Sequence, residues 1–142
     1  MRKIYDRISA GGLVYKNQNN NIYFVICFKK STNRWHLPKG TQEINENIKN
    51  TALREVEEET GLKVSIKNFL SNLEYSFMEK NNTINKKVVF YTMEPIGGSF
   101  ANHDNEFDDV IWATKEKCIE LLKYENERQL VNKTYQMVKK NG

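Results

Sequence analysis

The 142-residue chain sets 22 Lys+Arg against 18 Asp+Glu, a formal charge of +4, with 28% charged and 39% hydrophobic residues. That length suits one domain over residues 1–142 with one hydrophobic core. The mild, dispersed basic excess fits an anionic small molecule but is too weak to argue for a duplex nucleic-acid partner, and no stretch is apolar for the roughly 20 residues that cross a bilayer.

In chain order, the N-terminus MRKIYDRISAGG has no apolar run of signal-peptide length. Residues 4–16 predict a strand whose Gly11 and Gly12 mark a close backbone approach or a bulge. The polar residues 17–21 read as a hairpin loop. The next segment, IYFVICF at 22–28, is too apolar for a one-sided strand and is expected to be central and buried. A turn at 29–33 leads to RWHLPKG, where Trp35 and His36 are expected to pack, and where Pro38 and Gly40 impose an extended-then-turn path. Cys27 and Cys118 lie in separate apolar contexts without metal-ligand spacing, which predicts buried thiols and a reducing cytoplasm.

Residues 47–60 contain neither proline nor glycine, are rich in helix formers, and meet a helix stop at Gly61. At about 100° per residue, Ala52, Leu53 and Val56 form an apolar stripe, with Glu55, Glu58 and Glu59 on an adjoining arc. The simplest reading is a solvated acidic face. Against it, like charges at these spacings cost a few tenths of a kcal/mol per pair, and the helix dipole disfavours anions in the last turn. A bound cation offsets both costs, and hard oxygen donors without Cys or His suit Mg²⁺ or Mn²⁺.

Beyond Gly61, residues 63–77 alternate as one or two strands, residues 79–85 read as a hairpin loop, and KVVFYTM at 87–93 reads as a buried strand. Lys86 and Lys87 are candidate polyphosphate contacts, and Tyr75, Phe77 and Tyr91 candidate base-stacking surfaces. Residues 95–99 predict a turn, followed by an acidic loop and a short strand at 110–112. From Lys115 onward, helical spacing predicts one or two helices covering the sheet. Strands interrupted by one long central helix, with helices at the end, predict an α/β fold: helices on both faces of a mixed sheet.

The order Gly40, five residues, Glu46, seven residues, Arg54-Glu55-Val56, one residue, Glu58-Glu59, one residue, Gly61-Leu62 resembles the Nudix box at every fixed position. The resemblance implies a Nudix-type α/β/α sandwich and a Mg²⁺-dependent pyrophosphohydrolase of nucleoside diphosphates linked to a group X. It implies Glu58 and Glu59 as principal metal ligands, Glu55 as ligand or general base, and Arg54 as the residue that orients a carboxylate. Glu46 is implied as a brace of the loop and helix, and the Lys39 carbonyl as a further ligand. A glutamate outside the box commonly completes the metal site in such proteins; Glu106 matches best, with Asp104, Asp108 and Asp109 as rivals. The PKG lead-in at 38–40 resembles the dinucleoside polyphosphate hydrolase branch, in which Lys39 can meet a phosphate. Tyr124 and Arg128 echo a pair seen in some of those relatives, though a hydrophobic anchor and a helix ion pair account for them equally. The leading expectation is hydrolysis of dinucleoside polyphosphates by direct attack of water on phosphorus. Hydrolysis of ordinary or oxidised nucleoside triphosphates, RNA 5′-pyrophosphate removal and a non-catalytic nucleotide-binding module are the alternatives. The expected partner is a small nucleotide, with no membrane association, and the chain acts as a monomer or homodimer.

Overall fold

The computed structural model describes residues 5–141. Strand β1 (Arg7–Gln18) turns into β2 (Asn21–Lys29) through Asn19 and Asn20, whose φ values of 54° and 67° place both in the left-handed region. Asparagine tolerates that conformation, and two such residues make the tight turn that matches strand twist. The polar run at 17–21 is therefore mostly strand. The expected start of β1 at Ile4 lies outside the described residues.

Short strands β3 (Arg34–His36) and β4 (Lys39–Thr41) precede helix α1 (Ile48–Thr60). Then β5 (Leu62–Glu79) and β6 (Asn82–Gly98) form a long hairpin, closed by Lys80 and Asn81 at φ 48° and 68°. Two expectations change here. The hairpin loop expected over 79–85 narrows to Lys80 and Asn81, because the ladder continues to the pair Glu79↔Asn82; both strands are largely exposed there, and a solvated ladder needs no apolar pattern. Residues 95–98 remain in β6, paired with 62–64. Pro95 is tolerated beside the register shift at Lys63/Val64 and past Met93, the last residue of β6 that β1 pairs. The chain ends with β7 (Asp109–Thr114), α2 (Lys115–Leu121) and α3 (Glu125–Asn141).

The strand order is β3-β2-β1-β6-β5, with β4 also on β1 and β7 also on β2. The β1–β6 pair is parallel and the others antiparallel, so the sheet is mixed. Alternation along β2 explains its continuous apolar run: Val25 and Cys27 enter the α1-side core with Ala52, Val56 and Met93. Phe24 and Ile26 enter the opposite core with Leu122, Leu130 and Val131 of the C-terminal part. Both faces are covered, which makes the architecture an α/β/α sandwich. Cys27 and Cys118 are buried and free. Among the described residues no helix is long and apolar enough to cross a membrane.

Candidate active site

The site begins with the way α1 is anchored. Asn47 caps its N-terminus, accepting the Asn50 N–H at 2.8 Å. Gly61, at φ 79°, ends it by donating its N–H to the Glu57 carbonyl, a conformation that few other residues adopt cheaply. Glu46, just before the cap, accepts from Thr51 Oγ1 at 2.6 Å and from Arg54 Nε and Nη2 at 2.7 and 3.0 Å. The paired Arg54 fork, the Thr51 hydroxyl and the Glu43 N–H hold the Glu46 carboxyl down to about 2. Arg54 also donates to the Thr41 carbonyl at 3.1 Å and to Glu55 Oε1 at 2.7 Å, and stands 3.5 Å from Glu58 Oε2. One guanidinium thus locks the loop to the helix and aims a carboxylate.

The glutamates of α1 divide by direction. Glu57 faces away: its Oε2 accepts the Val64 N–H at 3.2 Å, tying the helix to β5. Glu55, Glu58 and Glu59 line a pocket with Lys39, Asp104 and Glu106. Glu55 reaches it past Gly40, where an added Cβ would fall 2.0 Å from the Glu55 carboxyl carbon and push that carboxyl out of the place where Arg54 holds it. Glu58 is half exposed. Glu59 is 2% exposed, and its Oε1 accepts the Lys39 N–H at 3.3 Å. Burial first, then the hydrogen bond and charge of Glu55, push the Glu59 carboxyl far above its ordinary value.

Across the pocket, residues 99–108 dock on the end of α1: the Ser99 N–H donates to the Gly61 carbonyl and the Asp104 N–H to the Glu58 carbonyl at 2.8 Å. Phe107 is buried in the α1-side core and anchors this loop. Glu106 meets Lys29 Nζ at 3.1 Å, and its N–H donates to Asp104 Oδ1. Asp108 instead accepts the Lys30 N–H at 2.6 Å, and Asp109 accepts the Val110 N–H. Two of the four rival loop carboxylates therefore face the pocket and two cap backbone.

Among the described residues no group of three His, Cys, Asp or Glu side chains stands ready to hold a metal ion. Arg54 draws Glu55 toward itself while Glu59 turns to the Lys39 N–H. The donor set nevertheless fits a hard divalent cation: it is all oxygen, and a cation beside the buried Glu59 would favour the charged form that burial and Glu55 disfavour.

Beside this pocket runs a groove lined by His36, Lys39, Tyr75, Phe77, Lys86, Tyr124 and Glu127. A neighbouring depression adds Ser9, Lys29 and Thr41. Lys39 borders all three spaces. Desolvation, followed by the charges of Lys39, Lys29 and Arg34, lowers His36 to about 4, so its ring is neutral near pH 7. Tyr75 is held by Asn126 Nδ2, which donates to its hydroxyl at 3.0 Å, and Tyr124 accepts from Arg34 Nη1 at 2.6 Å.

Two substrate-side candidates lie elsewhere. Lys87 holds its ammonium over the Tyr5 ring at 5.4 Å, and it is Lys86 that lines the groove, because successive strand residues face opposite ways. Tyr91, 6% exposed, belongs to the α1-side core and meets Phe69 edge-on at 6.2 Å. Arg128 clamps the turn before α3 through the Leu122 and Lys123 carbonyls at 2.8 and 2.7 Å. The residue that sequence reasoning missed is Glu127. It stands three and four residues before Leu130 and Val131, so the same periodicity that made those residues core places a carboxyl on the buried stripe.

Comparison with known proteins agrees with this geometry. The family described as NUDIX domain matches residues 6–134. MutT4 of Mycobacterium tuberculosis is 34% identical over 75% of this chain and 43% of its own length. An 8-oxo-(d)GTP phosphatase of Mycolicibacterium smegmatis is 27% identical over 70% of this chain and 29% of its own. The chain thus spans less than half of these relatives. Among solved structures, a C. elegans Ap4A hydrolase binary complex superposes with a TM-score of 0.75 at 19% identity, covering 93% of this chain and 97% of that one. A family match over most of the chain, on a mixed-sheet sandwich with the box residues gathered at one pocket, identifies this protein as a member of the Nudix hydrolase family.

Proposed function

We propose that the chain is a Mg²⁺-dependent pyrophosphohydrolase of nucleoside diphosphate–X compounds, acting on dinucleoside polyphosphates such as diadenosine tetraphosphate. Lys39 carries this reading. It borders the carboxylate pocket on one side and the aromatic-lined groove on the other, with Lys29 and Lys86 close by. A substrate with a base in the groove must lead its phosphates past these cations to reach the glutamates. Mn²⁺ is a candidate replacement for Mg²⁺.

Glu58, Glu59 and the Lys39 carbonyl would hold the ion, with Glu106 or Asp104 closing the set from the loop. When bound, the ion neutralises phosphate charge and lowers the pKa of water. The chain's own residues do the rest. Arg54 keeps Glu55 aimed into the pocket. Either Glu55 or Glu58 takes the proton from the attacking water as its oxygen bonds to phosphorus and the anhydride P–O bond breaks. Lys39 and Lys86 take up charge on the polyphosphate. Gly40, Glu46 and Gly61 keep loop and helix in place. Tyr75 offers a face for the base. We also propose that residues 1–142 act as one cytoplasmic domain, monomeric or homodimeric.

The 8-oxo-(d)GTP phosphatase among the relatives favours a second reading, hydrolysis of oxidised nucleoside triphosphates. A panel of diadenosine tetra- to hexaphosphate, ATP, dGTP and 8-oxo-dGTP, assayed with Mg²⁺ and resolved by chromatography, separates the two. Turnover of the diadenosine series at the highest kcat/KM is the expected result. No turnover of that series removes the first reading, and dominance of 8-oxo-dGTP establishes the second.

A further inference from the structure

Few side-chain polar atoms among the described residues are both buried and without a hydrogen-bond partner, and Glu127 Oε1 is the one that belongs to a carboxyl. Glu127 is 3% exposed because it rides the inward stripe of α3. Its Oε2 accepts the Leu37 N–H at 3.2 Å, tying the link between β3 and β4 to that helix. Oε1 has no such role, yet the residue lines the groove. A buried acceptor left unmade is costly, and most that persist in folded proteins are satisfied by water or a ligand.

The walls of the groove narrow the choice of ligand. Phe77 and Tyr124 bring aromatic rings to it, and Tyr75 brings a third whose hydroxyl is already engaged by Asn126. Aromatic lining residues, with an unmet carboxyl oxygen on one of their neighbours, suit a planar heterocycle that carries an N–H on its edge. Phosphate does not suit the unmet Glu127 oxygen, because a phosphate diester or anhydride brings no N–H or O–H for it to accept. Lys39 and Lys86 line the groove as well, and Lys39 continues into the carboxylate pocket, so the phosphates have cations to meet on the way to the glutamates.

We propose that Glu127 reads the base, its Oε1 accepting an N–H from the exocyclic amino group of a purine held among Tyr75, Phe77 and Tyr124. This rests on the reading of the site as a nucleotide pyrophosphohydrolase, and its test separates the two. Two nucleotide pairs differ by one amino group each: ATP against purine riboside triphosphate, and GTP against inosine triphosphate. For at least one pair the wild type should bind the amino member about tenfold more tightly, by calorimetry and in KM. Glu127→Gln keeps a carbonyl for the Leu37 N–H but turns an amide NH₂ into the groove, so it should abolish or reverse that ratio. A residue that only braced Leu37 would shift both members of a pair alike.

Equal affinities within both pairs in the wild type overturn the proposal, and so does a ratio that survives in a folded Glu127→Gln. If the variant does not fold, the wild-type ratios decide. A wild type that turns over none of the four and none of the diadenosine polyphosphates or 8-oxo-dGTP, yet keeps the tenfold binding preference, removes the enzymatic reading and leaves Glu127 as the base reader.

Discussion

In the carboxylate pocket, most polar contacts close within residues 40–62: Arg54 with Glu46 and Glu55, Glu46 with Thr51, Asn47 with Asn50. The groove beside it draws on β3 for His36, β4 for Lys39, β5 for Tyr75 and Phe77, β6 for Lys86 and α3 for Glu127. The pocket is a local device carried by one helix and its lead-in, whereas the groove exists only when distant strands align. On the proposed function, chemistry in the first can be kept while specificity changes in the second, since a substitution in β5 or α3 leaves the Arg54 network intact.

That division predicts opposite kinetic signatures. Glu58 is half exposed and makes only a 3.5 Å contact with Arg54, so Glu58→Gln should leave the thermal melt in place. It should lower kcat by roughly 10²- to 10⁴-fold with little change in KM; activity within twofold of wild type would sink the metal-site assignment. Lys86→Ala should do the reverse, raising KM about tenfold through the loss of a charge-assisted phosphate contact. A fall in kcat at constant KM would instead join Lys86 to the carboxylates and erase the boundary between the two regions.

The smallest effect concerns stability. His36 is lowered to about 4 in the fold against an ordinary 6.5, so between those values the unfolded chain binds a proton that the folded chain refuses. The neutral imidazole therefore contributes stability that is fully present above pH 6.5 and is lost as pH falls toward 4. Urea midpoints at pH 7 and pH 5 should drop more for wild type than for His36→Gln. Equal drops would mean that the groove does not desolvate this ring.

Legibility followed the same boundary. The helix, its caps and the direction of its acidic arc were readable because each depends on residues within a few turns of one another. Lys86 and Lys87 are adjacent candidates in the sequence, but which of the two faces the groove depends on strand phase relative to β1 and β5, which no local pattern states. Tyr91 had the right composition for stacking and ended in the core because β6 is covered there. The hairpin at 79–85 was legible but the tightness of its turn at Lys80 and Asn81 was not, because a two-sided solvated ladder has no hydrophobic signature. Glu127 was legible in principle: a carboxyl in phase with Leu130 and Val131 is a periodicity violation, and such violations mark strained or functional positions.

By itself the sequence determined that this chain builds a glycine-bounded helix with an acidic edge, since propensity, spacing and capping act over neighbours. Only the tertiary structure decided which face of β6 looks into the groove, that Asp104 joins Glu106 opposite the helix while Asp108 and Asp109 do not, and that Glu127 is buried with one oxygen unmet. Those outcomes depend on strand register, loop docking and the covering of both sheet faces, which bring together residues far apart in the chain.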